Sequence, residues 1–132
     1  MFKAKDIMTT QVISVKRDTP IYEAIRLMVD NNITGLPVVN EDMTLAGIIS
    51  EKDVLQLLYD CEDLKKGRSS TVQSFMTHHV VSFDQEDNLI TVCNCLIKNH
   101  FRRVPVVENK KLVGIISRKD LIRFILEPIK CS

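Results

Sequence analysis

The sequence predicts an α+β fold made of two β-α-β-β-α repeats packed about a pseudo-two-fold axis. Two observations carry that expectation. The first is internal repetition, because residues 7–55 and 75–122 present one pattern twice. Met8-Thr9 matches Met76-Thr77, Val12 and Ser14 match Val80 and Ser82, and Pro37-Val38-Val39 matches Pro105-Val106-Val107. Gly47-Ile48-Ile49-Ser50, then Lys52-Asp53, matches Gly114-Ile115-Ile116-Ser117, then Lys119-Asp120. The offset is 68 residues up to Val39/Val107 and 67 from Gly47/Gly114 onward, so the second copy is one residue shorter in a turn. A turn is where a change of length costs least, and a repeat decides architecture before any local signal does. The second observation is that short β-branched runs alternate with stripes of helical period inside each copy.

In the first copy, Val12-Ile13-Ser14-Val15 reads as a strand by its β-branched content. Thr19 then suits a helix cap and Pro20 the first helical position. Ile21, Ala24, Ile25 and Met28 follow at i, i+3, i+4, i+7, one apolar helix face, and Asn31-Asn32 ends the helix. Leu36-Pro37-Val38-Val39 reads as a buried strand, with Pro37 expected near its start or on an edge. After a turn at Asn40-Glu41-Asp42 comes the strand Leu45–Ile49. Ser50 caps a last helix carrying Val54, Leu55, Leu57 and Leu58. The second copy repeats this order. Val80–Phe83 is its first strand, Leu89, Val92, Cys93 and Leu96 its helix face, and Val104–Val107 and Leu112–Ile116 its further strands. Ser117 opens the final helix with Leu121, Ile122 and Ile125, and Pro128 stops it. The expected division is a first repeat at 1–59, a linker at 60–71 and a second repeat at 72–132.

Hydrophobic residues make up 45% of the chain and charged residues 27%, ordinary values for a globular domain. No apolar run approaches the roughly 20 residues of a membrane span, and Met1–Asp6 lacks a signal-peptide core. Net charge is +1, which speaks against a general nucleic-acid binder. It is uneven, however: residues 1–57 carry six basic and eight acidic groups, residues 72–126 eight basic and five acidic. The second copy thus has room for a local anion site. Cys61, Cys93, Cys95 and Cys131 form no C-x-x-C pair and no zinc spacing. On a helix Cys93 and Cys95 point about 200° apart, and Cys93 falls on the apolar face, so it is expected in the core. Nothing in the cysteines asks for an oxidising compartment, which favours the cytoplasm. His78-His79 reads as a surface pair, with nothing to complete a metal site. No P-loop, nucleophile elbow or paired carboxylates suggest catalysis.

The order Met-Thr-x-x-Val, amphipathic helix, x-Pro-Val-Val, turn, Gly-Ile-Ile-Ser-x-x-Asp, present twice across nearly the whole chain, resembles a pair of CBS domains, the Bateman module, of the stand-alone type. The resemblance implies a non-catalytic regulatory or sensor module. Such pairs bind an adenine nucleotide (AMP, ADP or ATP) or a related adenosyl ligand such as S-adenosylmethionine in a cleft between repeats. They signal to a partner protein and often form homodimers. A structural or dimerisation module without ligand is the alternative, and a small nucleotide hydrolase a more distant one.

The residues themselves support specific roles. Ser50-Glu51-Lys52-Asp53 and Ser117-Arg118-Lys119-Asp120 each lie where a strand enters a helix. The first-turn N–H groups there are unpaired and the helix dipole is positive. Ser with an acid three residues on is also the pattern of a capping box, and one helix start can serve both ends. By resemblance, Asp53 and Asp120 grip ribose, and Ser50 and Ser117 help hold ribose or phosphate. Arg102 and Arg103 offer guanidinium forks suited to phosphate, and the resemblance assigns them to the site of Ser50 and Asp53, with His100 as a further donor. The matching stretch in the first copy, Asn32-Ile33-Thr34-Gly35-Leu36-Pro37, brings Thr34 but no base. The Asp120 site is therefore expected to prefer a less charged adenosyl ligand or stay empty. Val12, Ile13, Val80 and Val81, with Ile48-Ile49 and Ile115-Ile116, could sandwich adenine, although most of these side chains are expected in the core.

Overall fold

The computed structural model describes residues 1–60 and 69–127. The expected linker residues 61–68, with Cys61, and the tail with Pro128 and Cys131 lie outside the described residues. The chain divides into two compact units, residues 13–80 and residues 1–12 with 81–132. Each unit contains one β-α-β-β-α series and one lead-in segment, 70–80 in the former and 1–12 in the latter.

The 13–80 unit opens with β1, Val15–Lys16, followed by α2, Ile21–Asp30, β2, Gly35–Val39, β3, Leu45–Ser50, and α3, Glu51–Asp60; α1, Ala4–Ile7, belongs to the other unit. The sheet order is β1-β2-β3, with β1 parallel and β3 antiparallel to β2. The first strand is thus shorter and later than the expected Val12–Val15, because only Val15 and Lys16 find partners, Val38 and Val39. Branched side chains favour an extended backbone, but pairing length depends on the neighbouring strand.

All five residues of β2 are buried. Pro37 sits in its middle, not at its start or on an edge strand, and faces Ile48. Ile48 turns its N–H and carbonyl to Thr77 instead, at 3.0 and 2.8 Å. The nitrogen of Pro37 therefore points to the other side of β2, where β1 pairs only with Val38 and Val39, and no ladder bond is lost. Thr19 does not cap α2 either. Its hydroxyl accepts from the Lys16 N–H at 3.0 Å, and Pro20 occupies the cap position. The expected stripe does form the core: Ile21, Ala24 and Met28 pack with Val15, Leu36, Val38 and Ile49, and Ile25 lies at its margin.

The lead-in segment completes this core. A 3-10 turn at Val72–Ser74 places Val72 and Met76 inside it, and the start of α2 is fastened to it, with the Ile21 N–H on the Ser70 carbonyl at 2.8 Å. The other unit does the same with α1, Ala4–Ile7. Ala4 is fully buried with Leu89, Val92, Leu96, Val104, Val106 and Ile116, and Phe2, Ile7 and Met8 pack against them.

The strands and helices of that unit are β4, Phe83–Asp84, α4, Leu89–Asn99, β5, Arg103–Glu108, β6, Lys111–Ser117, and α5, Arg118–Leu126. The sheet order is β4-β5-β6 with the same senses. Again the first strand is shifted from the expected Val80–Phe83. Cys93 is half-buried on α4, not a core residue. Asn88 caps α4, accepting from the Ile90 N–H at 2.8 Å. Lys3 and Lys5 both bind Glu86, at 2.6 and 2.7 Å, and the rings of Phe2 and Phe124 meet edge-on at 4.8 Å.

Candidate functional site

The two Ser-x-x-Asp motifs lie at the β3–α3 and β6–α5 junctions. Each places a carboxylate on the first turn of a helix, where backbone donors lack partners. Asp53 Oδ2 accepts from the Ser50 N–H at 2.9 Å and from the Ser50 hydroxyl at 3.0 Å. In return the Asp53 N–H reaches Ser50 Oγ at 3.4 Å. Asp120 repeats this with Ser117 at 2.8, 3.0 and 3.2 Å, forming a capping box. Aspartate, although shorter than the usual Glu or Gln, closes the box because the strand delivers Ser directly above the first turn.

In both copies the cap takes Oδ2 and leaves Oδ1 to other partners. Oδ1 of Asp53 receives the Thr77 hydroxyl at 3.2 Å. Oδ1 of Asp120 receives the Thr9 hydroxyl at 3.4 Å and stands 3.6 Å from Arg123. These contacts are long beside the 2.7–2.8 Å usual for a hydroxyl donor, so each Oδ1 keeps capacity to accept. Thr9 and Thr77 escape the local reading, because they lie 111 and 24 residues from their carboxylates. The one signal was the Met-Thr match between copies.

The Met-Thr segments are seated by backbone pairing. Thr77 exchanges bonds with Ile48, and Thr9 with Ile115 at 2.9 and 3.0 Å. Glycine permits the approach: a Cβ on Gly47 would strike the Thr77 carbonyl and the Met76 methyl, and one on Gly114 would meet Met8 Sδ at 2.5 Å. Met-Thr and Gly-Ile-Ile-Ser are therefore two halves of one device that brings a hydroxyl to each aspartate.

Arg103 opens β5 opposite Ser117. Burial pushes its guanidinium pKa below the usual value, against the opposing pull of Asp120, while Arg102 adds like-charge repulsion. Its Nε is buried without a hydrogen-bond partner among the described residues, a group that favours an incoming acceptor. The Asp120 site thus has Arg103 and Arg123 in its own unit. That corrects the expectation of a site without cationic help, which rested on aligned positions alone.

Arg102 is exposed, and its carbonyl accepts from the Arg118 N–H at 2.9 Å. His100 ends α4 in the left-handed region, at φ 56°. Thr34 is half-buried just before β2 and accepts from the Glu51 N–H at 2.9 Å. Val12 and Val80 are half-buried, and Ile13 and Val81 more exposed at 37% and 44%, so these four are not core side chains. They lie where the chain passes from one unit to the other. His78 and His79 are exposed. Among the described residues no group of three or more His, Cys, Asp or Glu could hold a metal ion, and no helix is long and apolar enough to cross a membrane.

Comparison with known proteins agrees with this arrangement. The family model for the CBS domain matches residues 4–60 and again 72–127. A protein of Methanocaldococcus jannaschii is 33% identical over 92% of this chain, which spans 42% of that protein's length. The crystal structure of CBSX2, an Arabidopsis thaliana CBS-pair protein, in complex with AMP superposes with a TM-score of 0.85 at 32% identity, covering 96% of this chain and 98% of that one. The CBS domain pair of protein MJ0100, in complex with 5′-methylthioadenosine and S-adenosyl-L-methionine, superposes with a TM-score of 0.79 at 27% identity, covering 95% and 96%. With the motif order, the duplicated capping aspartates and the family match all falling on the same two stretches, the chain belongs to the CBS domain family and carries two such domains.

Proposed function

We propose that this protein is a non-catalytic regulatory module that binds an adenine nucleotide or a related adenosyl ligand at its Ser-x-x-Asp helix starts and signals the occupancy to a partner protein. The observation that carries the reading is the division of labour within each aspartate. Oδ2 is held by the serine, so the carboxylate is fixed in place before any ligand arrives. Oδ1 receives a long hydroxyl contact in both copies and, in Asp120, an ion pair with Arg123 at 3.6 Å, so it keeps capacity to accept from a ribose hydroxyl. Arg103, whose charge acts on Asp120 and whose Nε lacks a hydrogen-bond partner among the described residues, supports a phosphate-bearing ligand, and so does the positive balance of the second copy. Relatives crystallised with AMP and with methylthioadenosine and S-adenosylmethionine support the adenosyl class.

Calorimetric titration with AMP, ADP, ATP and S-adenosylmethionine tests this proposal. Saturable binding of at least one is expected, and silence from all four overturns it. A second reading, self-association, is favoured by the helix surfaces. On α3, Leu55, Leu58 and Tyr59 are 61–86% exposed, and on α5, Ile122, Ile125 and Leu126 are 65–79% exposed. That is more apolar surface than a helix leaves facing water, and a second copy of the chain would cover it in a homodimer.

A further inference from the structure

Arg118 opens α5, yet its side chain reaches back to the end of α4. Its Nε donates to the Phe101 carbonyl at 2.7 Å and its Nη2 to the Leu96 carbonyl at 3.1 Å. Its backbone N–H donates to the Arg102 carbonyl at 2.9 Å. The Leu96 carbonyl lies in the last turn of α4, where carbonyls lack intrahelical partners and a cation is favoured. The first copy solves the same problem differently. Met28 occupies the position of Leu96, and its carbonyl accepts from the Ile33 N–H at 3.0 Å. The left-handed residue there is Asn32, at φ 51°, a type that tolerates the conformation better than histidine does. Glu51 occupies the position of Arg118. Its N–H makes the matching bond to Thr34, but a carboxylate has no proton to give to a carbonyl. The guanidinium thus meets a helix-end carbonyl that, at the matching position of the first copy, is met by a backbone N–H.

We infer that Arg118 is a positioning residue for phosphate recognition: its guanidinium fork ties the Phe101 carbonyl to the Leu96 carbonyl at the end of α4, its backbone N–H holds the Arg102 carbonyl, and together they aim Arg102 and Arg103. The inference rests on the adenosyl-phosphate reading above. Arg118 need not touch the ligand. A lysine would keep the charge and has three donors, but all sit on one nitrogen at the end of a flexible stem, so it lacks the fixed, spaced fork that spans the Leu96 and Phe101 carbonyls.

The test compares AMP with adenosine, which lacks phosphate, by calorimetry on the wild type, Arg118→Lys and Arg118→Gln. Melting curves establish that each variant is folded, and the glutamine variant carries the comparison should the lysine variant not fold. Small displacements of positioned groups are costly, so Arg118→Lys is expected to lose on the order of tenfold in AMP affinity while adenosine affinity holds. A purely structural role would weaken both ligands alike, and either that result or an unchanged AMP-to-adenosine ratio overturns the inference. A wild type that fails to prefer AMP refutes the phosphate reading itself, and the role of Arg118 falls with it. A wild-type preference that survives in Arg118→Lys refutes the positioning role alone.

Discussion

Gly47→Ala should destabilise the protein far more than Gly114→Ala, although the two positions are equivalent in the repeat. A methyl on Gly47 runs into the backbone carbonyl of Thr77 as well as the Met76 side chain. That carbonyl accepts from the Ile48 N–H at 3.0 Å, and the Thr77 N–H returns a bond at 2.8 Å. Backing Thr77 away sacrifices two backbone bonds worth about 0.5–1.5 kcal/mol each. Displacing Met76 from the core adds overpacking of about 1–3 kcal/mol. Against this stands about 0.5–1 kcal/mol gained by replacing a strand glycine. The net loss is about 3 kcal/mol, the middle of a range of about 1–5.5 kcal/mol. At Gly114 the new methyl meets only Met8 side-chain atoms, Sδ at 2.5, Cγ at 2.8 and Cβ at 3.0 Å. Rotating the Met8 side chain moves Sδ and Cγ but leaves Cβ at 3.0 Å, so the net cost is about 1 kcal/mol, the middle of a range of about 0–2.5 kcal/mol. Urea denaturation followed by circular dichroism reads the difference directly, and a gap of ~2 kcal/mol corresponds to roughly 8 °C in Tm for a chain of this size. Equal losses, or a larger loss at Gly114, would refute the seating of Met76-Thr77 against β3.

Other expectations follow from the same geometry. Asp53→Ala removes the proposed ribose acceptor and should weaken nucleotide binding by roughly 10- to 150-fold, the equivalent of about 1.5–3 kcal/mol for a bond to a charged group. Loss of the cap should cost about 1 kcal/mol of stability as well, so an earlier melt with unchanged affinity would reduce Asp53 to a cap. Hydrogen bonds from Lys3 and Lys5 lower the pKa of Glu86 from 4.5 to about 2. A lowered folded-state pKa contributes stability above the unfolded value and loses it as pH falls through the folded one. The difference in Tm between wild type and Glu86→Gln should therefore be present above pH 4.5 and vanish towards pH 2. It should be small, because these groups are exposed, and a difference that grows on acidification would contradict the assignment. Light scattering at tens of micromolar, on the order expected for useful self-association, should show a dimer that Leu58→Glu and Ile125→Glu dissociate. A wild-type monomer there removes the homodimer.

What could be read from the sequence is what is local. The stripe Ile21, Ala24, Met28 and its counterpart Leu89, Val92, Leu96 declare a helix face through spacing alone, and each Ser-x-x-Asp closes on itself within four residues. Readings that needed a distant partner went astray. Val12 and Ile13 have strand-forming side chains but no strand beside them. Thr19 has cap chemistry, but its hydroxyl is taken by the Lys16 turn. Nothing near Ala4 or Val72 announces a core residue, since each is buried by the helix and sheet of the unit it leads into. Arg103 shows the same limit at the site. Its alignment with Gly35 says nothing of Asp120, whose charge acts on it only once β5 and β6 are paired.

The central claim is that the two aspartates receive the ligand, and one titration addresses it most directly. AMP is titrated into wild type and into the Asp53→Ala, Asp120→Ala double variant, with folding of the variant established by its melting curve. Saturable heat is expected from the wild type and none from the folded double variant over the same concentrations. A double variant that binds AMP as tightly as the wild type would contradict it.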